Sequence, residues 1–226
     1  MLGFIKDGET SAPDGRALVG RTVRLDPAQD EDAKGIFEAL DHDEVWASGY
    51  SASKARPNST GAWRQWIESA LQDDRMMYVV REVGSPHYKD GRIIGTTSLG
   101  DIDLINQKLH LGWTAYTPAV WGTSVNPECK LLLFRHAFDH CKFGRVKLRT
   151  DLINTRSQAA IAKLGATREG VARRHIRRGD GSWRSSVIFS VIIDEWPQVK
   201  AGLERRLAEL SGSPSCGAGG QASQES

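Results

Sequence analysis

The sequence is poor in the features that assign a function at a glance. Its three cysteines, Cys129, Cys141 and Cys216, are an odd number at spacings that fit neither a zinc site nor a disulfide framework, so they read as free thiols of a reducing compartment. No run of about 18 apolar residues occurs, and Met1 to Gly20 lacks a basic start followed by an apolar stretch. Neither a membrane span nor a signal peptide is expected, which points to the cytoplasm. Charge of one sign is missing too: 30 Lys and Arg against 28 Asp and Glu leave +2, too little to argue for nucleic acid or an acidic membrane. Internal repeats at solenoid periods are absent. What is there is a chain of 226 residues, 39% hydrophobic and 26% charged, enough for one well-buried domain and short for two. Residues 1–16 and 211–226, rich in Gly, Asp, Pro, Ser and Gln, are expected to be disordered tails around a single domain at 17–210.

Between the tails the hydrophobic pattern alternates. Arg21 to Leu25 has the period of a strand, and Asp26-Pro27 offers an N-cap and a proline at the first helical position, with Ile36, Phe37 and Leu40 as the apolar stripe of a first helix. Thr60 to Gln72 carries Trp63, Trp66, Ile67, Ala70 and Leu71 on one side and predicts a second. Strands are predicted at Met76 to Val83, Arg92 to Leu99 and Lys108 to Tyr116, separated by Gly, Pro and Asp clusters. Glu128 to Cys141 reads as a long helix, Val146 to Thr150 as a short strand and Ser157 to Leu164 as a helix. Arg168 to Arg177 and Trp183 to Ile193 form a hairpin turned by Gly179-Asp180-Gly181, and a last helix after Asp194 buries Trp196, Val199, Leu203 and Leu207. The order β, α, α, β, β, β, α, β, α, β, β, α predicts an α/β (α+β mixed) domain, with a mixed central sheet flanked by helices.

One junction carries chemistry. Trp121-Gly122-Thr123-Ser124-Val125-Asn126 is a small-residue turn between a strand and a helix. Backbone N–H groups at a helix start lack intrahelical partners, and the macrodipole adds roughly half a positive charge, so a phosphate binds there without any particular side chain. Downstream, the strand Val146 to Thr150 runs into Asn154-Thr155-Arg156-Ser157 and a short helix ending Lys163-Leu164-Gly165. Cys129 sits near its helix start, where thiol pKa is lowered, so a nucleophilic role stands beside plain packing.

With this order and these turns, the chain resembles the GNAT superfamily of acyl-CoA N-acyltransferases, in the branch of bacterial ribosomal-protein N-terminal acetyltransferases, over roughly residues 17–207. The family signature before the helix is Gln or Arg, two residues, Gly, one residue, then Gly or Ala; the aligned positions here are Ala119, Gly122 and Ser124, so two of the three depart. The downstream match is more specific: Asn154, Ser157, Lys163-Leu164-Gly165-Ala166, Glu169-Gly170, Val187-Ile188-Phe189-Ser190 and Glu195-Trp196-Pro197. The resemblance implies a splayed GNAT-like sheet with acetyl-CoA lying between the strand ending near Tyr116 and the strand Val146 to Thr150. Trp113 and Thr114 would lie along the pantetheine and the N–H groups of Gly122, Thr123, Ser124, Val125 and Asn126 on the pyrophosphate. Relatives that pair through the C-terminal hairpin imply a homodimer.

Acyl transfer from a thioester to an amine needs a neutral amine, stabilisation of charge on the carbonyl oxygen and a proton for the departing thiolate. At pH 7 an α-amine costs only about 1 kcal/mol to deprotonate and a lysine roughly 4.6 kcal/mol, so a strong base matters far more for lysine. Where relatives read Glu-Ile-Gly-Tyr or Glu-Ile-Gly-Trp, this chain has His110-Leu111-Gly112-Trp113, which makes His110 the candidate base, with an inert strand histidine as the alternative. Asp101 and Asp103 are loop alternatives. The tyrosine that many relatives use as acid is replaced by Ile161, which leaves the Ser157 hydroxyl as donor or as a helix cap. Asn154 would hydrogen-bond near the pantetheine or cap its helix. Because the first two helices flank the acceptor pocket in the family, the resemblance implies that Trp63 and Trp66, with Tyr50, line that pocket, with core packing as the other reading of the tryptophans. No metal is expected: His136 and His140 stand four apart on one helix without a third ligand. The run Arg173, Arg174, His175, Arg177, Arg178 reads as a solvated hairpin face, or a surface for RNA or a carboxylated substrate. The expected function is an acetyl-CoA-dependent N-acetyltransferase acting on a protein N-terminal α-amine or a small amine. A catalytically weak acyl-CoA-binding module is the alternative.

Overall fold

The computed structural model describes residues 9–47, 50, 54–84 and 91–212; residues 1–8 and 213–226 of the expected tails, with Cys216, lie outside them. The strands are β1 (Leu18–Val19), β2 (Val23–Pro27), β3 (Met76–Glu82), β4 (Ile93–Asp103), β5 (Lys108–Tyr116), β6 (Arg145–Asp151), β7 (Thr167–Arg177) and β8 (Trp183–Ile192). The helices are α1 (Ala33–Leu40), α2 (Asp43–Ala47), α3 (Thr60–Gln72), α4 (Val125–Arg135), α5 (Thr155–Ala162) and α6 (Trp196–Gly212). All eight strands form one sheet in the order β1-β2-β3-β4-β5-β6-β8-β7. Its neighbours run antiparallel except β5 and β6, which are parallel.

Strand alternation divides the core into two layers. On β3, Tyr78 and Val80 face a cluster containing Phe134 and Phe138 of the α4 side and Trp196 and Leu203 of α6, while Met77 and Val79 face Ile36 and Leu40 of α1 and Trp63 and Ile67 of α3. Both faces of the central strands are therefore dry. In α3 the Ser59 hydroxyl accepts from the Ala62 N–H at 3.2 Å, and Trp63, Trp66, Ile67 and Ala70 follow at helical spacing as its buried face.

Two boundaries differ from the sequence expectation. The first helix does not open at Asp26-Pro27: the strand continues through Pro27, because Asp26 is held by Arg24 at 2.7 Å and Arg81 at 3.2 Å beside the sheet. Helical structure starts instead at a capping box, where the Asp32 carboxylate accepts from the Gln29 N–H at 2.9 Å. The long helix begins at Val125 and widens after Arg135 into a turn of wider pitch, marked by the Cys141 N–H donating to the His136 carbonyl five residues back at 2.9 Å. Residues 9–16, expected within a tail, lie against this widened turn: the Ser11 N–H donates to the Cys141 carbonyl at 3.0 Å and the Thr10 hydroxyl to the Lys142 carbonyl at 3.1 Å. Glu128 of α4 accepts from the N–H groups of Arg21 and Thr22 and from the Thr22 hydroxyl, which fastens the β1–β2 turn to the helix that opens the site.

Candidate active site

The splay of the sheet makes the site. β5 and β6 pair only at Lys108 with Arg145, Leu109 with Val146 and His110 with Lys147. Beyond that apex they separate, and a cleft of about 550 Å³ opens between Leu111–Tyr116 and Leu148–Asp151. A bulge shapes the β5 wall. Gly112 faces Ser98 and Ala115 faces Thr96, so Trp113 and Thr114 together oppose Thr97, and Trp113 takes φ +48°. The extra residue reverses the facing pattern: Leu109 and Leu111 belong to the α4 layer, whereas Ala115 belongs to the α1–α3 layer. The Tyr50 hydroxyl donates to the Trp113 carbonyl at 3.3 Å and braces the bulge.

At the far end of β5 the chain turns sharply. Trp121 Nε1 donates to the Tyr116 carbonyl at 3.0 Å, and Gly122 follows at φ +79° with no atom within 4 Å of where a Cβ would stand. That backbone angle favours glycine. Ser124 sits at φ −67°, ψ −15°, ordinary helical angles, so serine there carries no strain. The N–H groups of Gly122, Ser124 and Asn126 make no hydrogen bond among the described residues. They are the unfilled donors expected at a helix start.

Titratable groups line the cleft in distinct environments. His110, at the apex, is 2% exposed, with Nδ1 3.0 Å from the Lys147 carbonyl oxygen and its ring edge-on to Trp113 at 4.9 Å. Because that carbonyl can only accept, Nδ1 carries the proton. Burial, reinforced by Arg149, pushes the His110 pKa down to about 3, which leaves a neutral and weakly basic imidazole. Lys130 of α4 lies buried in the lining, its Nζ donating to Thr114 Oγ1 at 2.7 Å and Thr97 Oγ1 at 3.4 Å, with no ion pair among the described residues. Burial pushes its pKa down to about 7. Arg156 stacks on the Trp121 ring at 3.7 Å beside the glycine turn, and Lys163 and Arg206 add positive charge to the lining.

A sequence model of the acetyltransferase (GNAT) domain matches residues 22–167, which hold β2 through the start of β7 and most of this cleft. The chain belongs to the GNAT acetyltransferases. Among GNAT relatives, YdaF of Bacillus subtilis strain 168, provisionally named a ribosomal N-acetyltransferase, is 23% identical over 176 residues, 77% of this chain and 92% of YdaF. A GCN5-related N-acetyltransferase from Brucella melitensis matches with a TM-score of 0.83 at 22% identity, covering 94% of each chain. Mycobacterium smegmatis RimJ in complex with CoA-disulfide matches with a TM-score of 0.70 at 18% identity, over 84% of this chain and 91% of RimJ. The mixed, splayed sheet flanked by helices is the GNAT fold that the residues implied.

Of the residues expected in a GNAT site, Tyr50, His110, Trp113, Thr114, Gly122, Thr123, Asn126, Asn154 and Ser157 line this one cleft. Ser124 lies at the N-cap of α4 and Val125 is buried in the core. Asn154 caps α5, its side-chain oxygen accepting from the Ser157 N–H at 2.9 Å. Trp63 and Trp66 stand apart from the cleft: at 1% and 7% exposed they pack on each other at 5.5 Å and on Trp46 at 6.4 Å, so the core reading applies. Cys129 is fully buried with its pKa pushed up to about 12, which removes the nucleophile reading. Sequence reasoning missed Lys130, Arg149, Arg156 and Arg184, all in the lining. Lys130 left a readable signal, a cation directly before the apolar run Leu131-Leu132-Leu133-Phe134. Arg149 and Arg184 left none, since strand arginines are usually surface residues.

Proposed function

We propose that this protein transfers an acetyl group from acetyl-CoA to the nitrogen of a primary amine by direct attack, with no covalent enzyme intermediate. The observation that carries the reading is the unpaired inner edge of β5 beyond His110, running into a glycine turn whose N–H groups are unfilled. An extended ligand with amides and a pyrophosphate matches that pair of features: the amides complete the sheet edge from Leu111 to Tyr116, and the phosphates meet the N–H groups of Gly122 to Asn126 with Arg156 beside them. Bound acetyl-CoA supplies an acyl carbon already activated as a thioester, so the amine needs only its lone pair and a destination for one proton. The donors freed from the ladder by the Trp113–Thr114 bulge suit the developing charge on the acyl oxygen.

Proton handling follows from the environments. His110 is too weak a base to draw a proton from an ammonium group, and its bond to Lys147 makes it a positioning residue for the apex. An amine with pKa near 8 deprotonates at a cost of about 1 kcal/mol and dispenses with a strong base. An α-amine fits this requirement. The Ser157 hydroxyl, in the lining one turn into α5, is the candidate donor to the departing sulfur. With Cys129 sealed in the core, direct attack is favoured over a double displacement.

Calorimetric titration with acetyl-CoA, followed by thiol release with a panel of α-amino peptides, amino acids, polyamines and aminated antibiotics, tests this. Micromolar binding with turnover on one class is expected. Binding without turnover on any amine would favour an acyl-CoA-binding module, and absence of binding would overturn the reading.

A further inference from the structure

The β6 side of the cleft, from Lys147 at the apex outward to Asp151, carries more positive than negative charge. Lys147 and Arg149 share Asp101, at 2.9 and 3.7 Å, while Arg178 pairs with the buried Asp151 and Arg184 approaches it only to 3.9 Å. Arg75 and Arg149 both lie over the Trp113 ring, at 5.0 and 5.7 Å. Five cations thus stand against three carboxylates, Asp101, Asp151 and, near Arg75, Asp73.

Three of these guanidinium groups donate no hydrogen bond among the described residues. Arg75 is 5% exposed with neither hydrogen bond nor ion pair, and burial pulls its pKa down. Arg184 has its Nε buried without an acceptor, and burial lowers its pKa as well. Arg149 has only the distant Asp101. Burying a guanidinium away from acceptors is costly, and its planar fork matches the two oxygens of a carboxylate or phosphate. Burial pulls the His175 pKa below the usual imidazole range, and Arg149, Arg184 and Lys147 push in the same direction. Arg149 and Arg184 line the cleft, and so does Trp113.

Resting on the acetyltransferase reading, we propose that the acceptor amine carries its own oxyanion within a few bonds of the reacting nitrogen, and that Arg149 and Arg184 bind it with Arg75 behind Trp113. The acceptor class is then an amino acid or an amino phosphate, and the same cations disfavour its ammonium form, which offsets the higher basicity of such an amine. A polyamine or a polycationic antibiotic would meet repulsion at the apex.

Thiol release from acetyl-CoA is compared for matched pairs, each L-amino acid with its amide and phosphoethanolamine with ethanolamine. The anionic member should be at least tenfold better in kcat/KM, mainly through KM, and the pair showing the larger ratio identifies carboxylate or phosphate as the source. In Arg184→Gln and Arg149→Gln the anion-to-neutral ratio should fall toward one, and Arg184→Lys should recover part of it. A second readout needs no turnover: with CoA present, N-acetyl-amino acids should raise the melting temperature and N-acetyl-amino acid amides should not. Equal use of charged and neutral amines, or stabilisation by acid and amide alike, overturns this proposal and leaves the transferase standing. Failure to bind acetyl-CoA overturns both.

Discussion

At the residue scale, burial holds the two buried bases of the cleft, His110 and Lys130, below their ordinary pKa values. His110, at the position where relatives carry a glutamate, was legible as a candidate base, and what the sequence withheld was its burial and the Lys147 carbonyl that fixes its proton. Its folded pKa, about 3, lies below the usual 6.5, so between those values the unfolded chain binds the extra proton. Stability therefore rises with pH across that window and is complete above it, with a slope of at most about 1.4 kcal/mol per pH unit. Denaturant titrations from pH 4 to 7 should show this slope in the wild type and lose it in His110→Asn, whose amide still donates to Lys147. The rise of kcat/KM with pH that the amine itself sets, near 8 for an α-amine, should survive in the same variant; its disappearance would restore His110 as the base. Lys130 is depressed from 10.5 to about 7 by burial. There the unfolded chain holds more protons between pH 7 and 10.5, so stability again rises with pH, and the penalty is greatest at pH 7 and below. Lys130→Met should melt higher than the wild type at pH 7, and the advantage should shrink by pH 9.5.

At the scale of the element, the glycine turn separates what the motif requires from what it merely contains. Gly122 and Ser124 occupy the two small positions of the signature, yet only Gly122 has a positive φ. Gly122→Ala places a methyl in open space, so its cost is backbone strain of about 1–2 kcal/mol and a displaced N–H. Acetyl-CoA affinity measured by calorimetry should drop roughly tenfold. Ser124→Gly should change it by less than about threefold, because the helical angles there need no glycine; the reverse order would mean that the phosphates sit on the second position. The turn was readable from sequence because its physics is local. The first helix was misplaced for the opposite reason: Asp26-Pro27 has local capping chemistry, and the ion pairs to Arg24 and Arg81 that keep it in the sheet are set by strand order. The Trp63–Trp66 stripe predicted α3 correctly but could not say whether its apolar side met the cleft or α1.

At the scale of the whole molecule, the sheet is two sheets joined at a narrow seam. The alternation of strands and helices gave the class, and the placement of β5 beside β6 follows from the GNAT resemblance, since parallel neighbours have no turn between them to betray the pairing. On the far side of β5 lies β4 and on the far side of β6 lies β8, so each wall of the cleft is paired on one edge and open on the other beyond three residue pairs. Under the proposed function, a ligand lying in the splay completes the open edge of β5 and couples the halves. Its binding free energy adds to folding stability as RT ln(1 + [L]/Kd), about 2.7 kcal/mol at a hundredfold excess over Kd. Amide exchange should register where that energy is deposited. Without ligand, the cleft-facing N–H groups of residues 111–116, together with the bulge and the Gly122 turn, should exchange ahead of β3 and β8. With acetyl-CoA those residues should slow together with the seam at Leu109 and His110. Protection confined to the glycine turn would mean that the phosphates dock and the sheet edges stay open, which would remove the added-strand geometry and leave only the anion site.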